Sequence, residues 1–109
     1  MKYIVEGHLE IPGNELVTLE GCPERVGKDF ACRGNRSLKT LKGCPNEIGG
    51  HFICAGTPNL KSFDHGWPEK VKVGKDFICD GRLAEAEVRK FTEAEVRKYF
   101  DVVGKIVFV

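Results

Sequence analysis

Several features that would indicate a function directly are missing from this chain. Its 109 residues include 17 lysines and arginines against 16 aspartates and glutamates, so neither charge is in excess. Such a balance does not provide the basic face on which binding to nucleic acid or to an anionic membrane depends. The chain also lacks an apolar run of about 18 residues, the length that a membrane-spanning helix needs. We therefore expect neither nucleic acid nor a membrane as a partner.

Motifs of catalysis and cofactor binding are missing as well. The glycines form neither Gly-x-x-x-x-Gly-Lys-Ser/Thr nor Gly-x-Gly-x-x-Gly, so they do not predict a phosphate or dinucleotide site. No Cys-x-x-Cys knuckle indicates zinc, and no cysteine lies in the Cys/His setting of a catalytic thiol. We expect no cofactor and no enzymatic activity.

The cysteines are few, odd in number and placed by a sequence repeat rather than by a disulfide framework. We interpret them as reduced thiols that act as small buried hydrophobes. The first residues also lack the long apolar core of a signal peptide, and we expect a cytosolic protein. The cysteines are Cys22, Cys32, Cys44, Cys54 and Cys79.

What the chain does contain is an internal repeat of about 22 residues. Residues 16–37 and 38–59 align without a gap as Leu-x-x-Leu-x-Gly-Cys-Pro-x-x-(Val/Ile)-Gly-x-x-Phe-x-Cys-x-Gly, and residues 60–82 form a longer copy. A half repeat over residues 1–15 and a closing strand over residues 102–109 complete a single domain. The pattern predicts five parallel strands, which begin near Val5, Val26, Ile48, Val73 and Val102.

Strand alternation assigns the side chains of each copy to two sides. Val26, Phe30 and Cys32 point inward with their equivalents in the other copies, and pairs such as Leu38 and Leu41 form the opposite wall. One repeat cannot bury its own apolar face, so we expect stability to come from the stacking of neighbouring repeats.

Helical sequence occupies residues 83–100, before the last strand. Two near-identical octets, Leu83–Lys90 and Phe91–Lys98, follow one another. In the second octet Thr92 is placed as an N-cap with Glu95 three residues on, which is the pattern of a capping box. We expect a helical insert there.

The repeat resembles a leucine-rich repeat. Pro23, Val26, Phe30, Cys32 and Asn35 have the spacing of its strand-and-asparagine core, and Leu38 and Leu41 follow. A nearer likeness is to small leucine-rich-repeat-like proteins encoded by bacteriophages, which show Gly-Cys-Pro, Gly-x-x-Phe-x-Cys and a closing Phe-Thr-Glu-x-x-Val-Arg-Lys.

This resemblance implies an α/β repeat fold, namely a short leucine-rich-repeat-like solenoid with about five parallel strands and a C-terminal helical insert. It also implies a location in the cytoplasm of a host bacterium.

The outward strand positions are the candidate functional residues, and they form three rows across the predicted sheet. The first, which we call the His/Asp row, consists of His8, Asp29, His51, Asp76 and Lys105. The favoured interpretation is a set of charge-complementary neighbours. Metal binding by its four His and Asp side chains is the alternative, although a flat row does not converge as ligands must.

The second row, which we call the aliphatic row, consists of Glu10, Ala31, Ile53, Ile78 and Val107. Exposed aliphatic side chains within a sheet predict an interaction surface, and a third row of Arg33, Ala55 and Asp80 borders it. The alternatives are that residues 83–100 fold over the row or that it pairs in a dimer.

The predicted function is non-enzymatic protein binding, and the resemblance implies a phage protein that inhibits a bacterial host or anti-phage defence protein. A self-assembling homo-oligomer and a small metal-binding protein are the alternatives. The residues predicted to contact a partner are Asp29, Ala31, Arg33, His51, Ile53, Asp76, Ile78 and Asp80.

Overall fold

Each copy of the repeated segment forms two short strands separated by a corner, where the sequence predicts one strand. The computed structural model describes residues 3–11, 16–80 and 92–109. The strands are β1 (Ile4–Val5), β2 (Leu9–Glu10), β3 (Arg25–Val26), β4 (Phe30–Ala31), β5 (Glu47–Ile48), β6 (Phe52–Ile53), β7 (Val71–Val73), β8 (Phe77–Cys79), β9 (Phe100–Val102) and β10 (Ile106–Phe108).

Strands of successive copies stack into two parallel sheets. The first sheet has the order β1-β3-β5-β7-β9 and the second the order β2-β4-β6-β8-β10. Each consecutive pair of strands therefore forms one coil, from coil 1 (β1 and β2) to coil 5 (β9 and β10). The chain is thus a small β-solenoid of stacked parallel strands, as the repeat predicts in outline.

The corner between the two sheets explains why a single strand was the wrong prediction. A Cβ atom on Gly49 would lie 2.2 Å from the backbone oxygen of Gly27, and one on Gly27 would lie 2.3 Å from that of Glu6. The coils pass each other too closely here for a side chain, and the backbone bends. Lys28 is the signal in the sequence, because an unbroken strand would point its ammonium group into the core between Val26 and Phe30.

The core lies between the two sheets and the leucine wall. Phe30, Phe52, Phe77 and Phe100 form a ladder, with centroid distances of 5.3 Å, 5.0 Å and 4.7 Å between successive rings. The inward residues that the alternation predicts, among them Val26 and Cys32, are fully buried. The buried wall opposite consists of Leu19, Leu38, Leu41, Leu60 and Phe63.

Two kinds of turn recur within the described residues. The glycine before Cys22 and Cys44 has a positive φ of 98° and 96°, a conformation that favours glycine. At the other turn the side chain of Asn35 is completely buried and donates to the carbonyls of Cys32 (2.8 Å) and Ile11 (3.2 Å). Thr57 takes this place in the next coil, where its hydroxyl donates to the Cys54 carbonyl at 2.6 Å.

The helix α1 (Glu93–Tyr99) begins where the sequence predicts. The Thr92 hydroxyl accepts from the Glu95 amide, and the Glu95 carboxylate accepts from the Thr92 amide, which together form a capping box. Val96 is fully buried in the core, and the helix leads directly into β9. The predicted first octet, Leu83–Lys90, lies outside the described residues, as does Phe91.

Within the described ranges no helix is long and apolar enough to cross a membrane.

The close approach of successive coils at the corner predicts that a side chain in place of Gly49 destabilises the fold. Gly49→Ala should lower the free energy of unfolding by about 1–3 kcal/mol or more, because the new methyl group meets the backbone of the preceding coil. The matched control is Gly7→Ala, since a Cβ atom there meets no heavy atom of the described residues within 4 Å. Urea denaturation followed by circular dichroism measures both, and equal stability of the two variants would contradict the close approach.

Candidate partner-binding surface

The His/Asp row lies at the corner and joins successive coils through backbone amides. The Asp29 carboxylate accepts from the His51 amide at 2.7 Å, and the Asp76 carboxylate accepts from the Lys105 amide at 2.8 Å. The two imidazoles do the same, since Nδ1 of His8 accepts from the Asp29 amide (3.2 Å) and Nδ1 of His51 from the Asp76 amide (3.1 Å). Each side chain of the row from His8 to Asp76 therefore bonds to the coil that follows it.

These bonds determine the state of the imidazole rings. A ring nitrogen that accepts from an amide carries no proton, so the neutral rings of His8 and His51 carry theirs on Nε2. Nδ1 also lies 3.4 Å from the Asp29 carboxylate in one case and 3.8 Å from that of Asp76 in the other. These approaches become ion pairs only on protonation, which would sacrifice the amide bonds. The row is therefore built for coil-to-coil contact.

The residue before each member of the row is also determined by the contact between successive coils. Coils 2 and 4 carry Lys-Asp at the corner, whereas coils 1, 3 and 5 carry glycine followed by a cationic or titratable residue. A Cβ atom on Gly50 would lie 2.2 Å from Oδ1 of Asp29, and one on Gly104 would lie 2.2 Å from Oδ1 of Asp76. These glycines make room for the carboxylate of the coil before them.

A metal site does not form here. Within residues 3–11, 16–80 and 92–109 no three His, Cys, Asp or Glu side chains are grouped to hold a metal ion. The carboxylates of the row are directed at backbone amides, as described above, and this geometry does not support the metal alternative.

The aliphatic row lies on the outward side of the second sheet, in strict register. Ala31 pairs with Ile53, Ile53 with Ile78, and Ile78 with Val107. Ile53, Ile78 and Val107 are half-buried and belong neither to the core cluster nor to the residues packed against it. They form a continuous apolar strip across three coils.

The expectation that Ala31 is exposed was wrong, because only 4% of its surface is accessible. It lies in register between Glu10 and Ile53, which both have longer side chains. The surface that the row presents is therefore centred on Ile53 and Ile78.

The third row contributes one exposed cation and one structural carboxylate. The Arg33 guanidinium lies 3.7 Å from the Glu10 carboxylate, and both side chains are more than half exposed. Asp80 instead accepts from the amides of Gly56 and Thr57 at 3.0 Å. Of the predicted contact residues, Asp29, Asp76 and Asp80 thus have backbone partners within the solenoid, and their carboxylates have structural roles.

A further row on the first sheet was missed by the sequence reasoning. Arg25, Glu47, Lys72 and Asp101 pair in register across coils 2 to 5, so charges of opposite sign alternate. Arg25 and Glu47 form an exposed salt bridge of 3.3 Å. The signal lay directly before the inward residues Val26, Ile48, Val73 and Val102, where every one of the four copies carries a charge. This charged row makes the outward face of the first sheet polar, unlike that of the second.

The cysteines are free thiols with environments that suppress reactivity. All but Cys22 are buried. Burial raises the pKa of Cys22 to about 11 and, with a smaller contribution from Cys22, that of Cys32 to about 12. Burial is also the main cause of the raised pKa of Cys44 and Cys54. Neutral, buried thiols fit their interpretation as small hydrophobes.

Two surface grooves flank these rows. A groove of about 430 Å³ runs along the corner between His8 and Lys75, past Lys28 and His51. Another of about 310 Å³ lies beside Trp67, whose indole N–H donates to the Cys44 carbonyl at 2.8 Å. Trp67 packs against the core and fills the cysteine position of the longer copy.

Comparison with protein families, with curated proteins and with solved structures found no match.

The hydrogen bond from the His51 amide to the Asp29 carboxylate predicts that two substitutions of Asp29 lower the stability by different amounts. Asp29→Ala should lower the free energy of unfolding by about 1–2 kcal/mol, because the partly buried His51 amide loses its acceptor. Asp29→Asn is the matched control and should cost less than half as much, since its amide oxygen can still accept. Thermal or urea unfolding measures both variants, and equal losses would show that charge rather than the hydrogen bond matters.

The buried thiols predict a loss of stability in alkali. Each thiol has an ordinary pKa of 9.0, whereas burial holds the folded value higher, so the unfolded chain releases protons first. The contribution of the thiols to the free energy of unfolding is therefore complete below about pH 8 and falls as the pH rises. The loss is up to about 1.4 kcal/mol per pH unit for each thiol that stays neutral in the folded chain. Urea unfolding between pH 8 and 10 measures the slope. The Cys32→Ala/Cys54→Ala variant should show a shallower one, and an identical slope would contradict the assignment.

Proposed function

We propose that this chain is a non-enzymatic binding protein that contacts a protein partner through the aliphatic row. The observation that carries the proposal is the contrast between the two outward faces of the solenoid. Charges alternate along the first sheet, whereas Ile53, Ile78 and Val107 form an apolar strip along the second. An apolar strip with a charged border is the arrangement found at the centre of protein interfaces.

The charged residues that border the strip orient a partner bound to it. Arg33 lies on one side, paired with Glu10 at the end of the row, and the corner with His51 lies on the other side. Arginine is enriched in interfaces, and a pair at the rim adds selectivity more than affinity. We assign partner contact to Ile53, Ile78 and Arg33, with His51 at the edge.

The kind of partner follows from the family resemblance. The resemblance is to phage-encoded leucine-rich-repeat-like proteins, and a rigid solenoid face can occlude a working surface of a host protein. We propose that the chain is such a phage protein and that it inhibits a host or anti-phage defence protein in the bacterial cytoplasm. The Gly-Cys-Pro repeats and the Phe91–Lys98 segment support this assignment.

A decisive test compares two faces of the same protein. Ile53→Asp/Ile78→Asp should reduce capture of a partner from bacterial lysate by at least about tenfold, because two charges enter the apolar strip. Arg25→Ala/Lys72→Ala is the matched control, since it makes the same change in net charge on the first sheet. The captured protein is then purified, and its affinity for each variant is measured by titration calorimetry.

The outcomes separate the alternatives. Equal binding of the partner by both variants would remove the aliphatic row from the interface. The Ile53→Thr/Ile78→Thr variant, which keeps β-branched side chains, should also lose binding while it melts close to the parent chain. Light scattering on a sizing column tests the homo-oligomer, and a dimer that the aspartate variant dissociates would replace the proposal with self-association through the same row.

A further inference from the structure

Two lysines of different coils line the groove that runs along the corner. Lys28 belongs to coil 2 and Lys75 to coil 4, and both side chains are exposed. Gly50 of coil 3 lies between them, since its amide donates to the Lys28 carbonyl and its carbonyl accepts from the Lys75 amide, each at 3.0 Å. With about 4.8 Å between neighbouring strands, the backbones of the two lysines are about 10 Å apart.

The gap between the two lysines is a consequence of the contact between coils. A Cβ atom on Gly50 would lie 2.2 Å from Oδ1 of Asp29, and one on Gly49 would lie 2.2 Å from the Gly27 oxygen. Side chains are therefore excluded from both positions, and glycine backbone forms the floor of the groove between the lysines. His51 supplies the side chain that coil 3 contributes to the lining.

The ammonium groups of Lys28 and Lys75 have no carboxylate partner within the described residues. The aspartates that follow them, Asp29 and Asp76, accept instead from backbone amides of the next coil at 2.7 Å and 2.8 Å. His51 adds an N–H donor, because its Nδ1 accepts from an amide and its neutral ring carries the proton on Nε2. The groove is therefore lined by two unpaired cations and one further donor.

We propose that the corner groove is a binding site for a carboxylate group. Apart from the two imidazoles, its charged lining residues are Lys28, Lys75 and Asp29, which leave a net charge of +1. A carboxylate carries one negative charge and matches this value, whereas a phosphate monoester carries about −1.5 to −2. Charge-assisted bonds of about 2.8 Å, one from each lysine to either side of the carboxylate, fit within the gap.

The position of the groove indicates where this carboxylate comes from, a step that rests on the proposed function. Ile53 follows Gly50 by three residues, so the aliphatic row begins at most about 11 Å along the chain from the groove. His51 lies between them and borders both. A protein partner that covers Ile53 therefore carries an aspartate or glutamate at about that distance from its apolar contact, and this charge determines its orientation.

The first test uses sodium acetate as the probe, titrated into the full chain against sodium chloride at constant ionic strength. Amide chemical shifts in nuclear magnetic resonance spectra report the site, and we expect saturable shifts centred on Gly49, Gly50 and His51. Two exposed ammonium groups bind a small anion weakly, so the dissociation constant should be on the order of 10 mM. Inorganic phosphate is the second probe, and binding more than about tenfold tighter than acetate would overturn the carboxylate assignment.

Two double variants of equal net charge show whether the lysines form the site. Lys28→Gln/Lys75→Gln should abolish the saturable shifts, since it removes both cations from the groove. Lys39→Gln/Lys61→Gln is the matched control, because these exposed lysines lie beside the leucine wall, and it should bind acetate like the parent chain. Absence of saturable shifts in the parent, or equal binding by the two variants, would overturn the site.

The protein captured through the aliphatic row then tests the source of the carboxylate. Lys28→Gln/Lys75→Gln should weaken its binding at least about tenfold, with a smaller dependence on salt, because a charge pair at the interface is lost. Weaker binding by Ile53→Thr/Ile78→Thr but not by the lysine variant would overturn this inference and leave the proposed function standing. Weaker binding by the lysine variant alone would support the carboxylate contact and remove the aliphatic row from the interface.

Discussion

The close parallel contact of one coil with the next is the constraint on which this structure depends. At the corner the amide of Gly49 donates to the carbonyl of Val26 at 2.9 Å, and that of Gly74 to the carbonyl of Ile48 at 2.8 Å. The strands have only two or three residues, too few to be stable as separate hairpins or sheets. Repetition over five coils compensates, because amide-to-carbonyl bonds recur from coil to coil and the phenylalanine ladder joins coils 2 to 5 through the core.

The repeat, the inward side chains and the helix start could all be predicted from the sequence. These features depend on local or strictly periodic signals, such as the recurrence of Phe30 and Cys32 or the Thr92–Glu95 pair, and no knowledge of distances is needed to see them. The corner was missed because alternation over five residues looks alike in a straight strand and in a bent one. Lys28 at an inward position is the residue in the sequence that indicates the bend.

The functions of the outward carboxylates could not be predicted, for a different physical reason. A hydrogen bond from a side chain to the backbone of the next coil depends on the offset between the two coils. The sequence of one copy does not specify that offset. Asp29 and Asp76 therefore looked like surface charges available to a partner, although they join coils. Ile53 and Ile78 remain the better candidates for binding, since they have no role in the core and lie on the less polar face.

The alternation of Lys-Asp corners with glycine corners has a consequence for how such a chain can change its length. A carboxylate needs a glycine in the coil after it, so a Lys-Asp coil cannot follow another without a clash between Lys and the incoming carboxylate. Duplication of a Lys-Asp coil next to itself would therefore break the corner, whereas duplication of that coil together with the glycine coil after it would preserve the alternation.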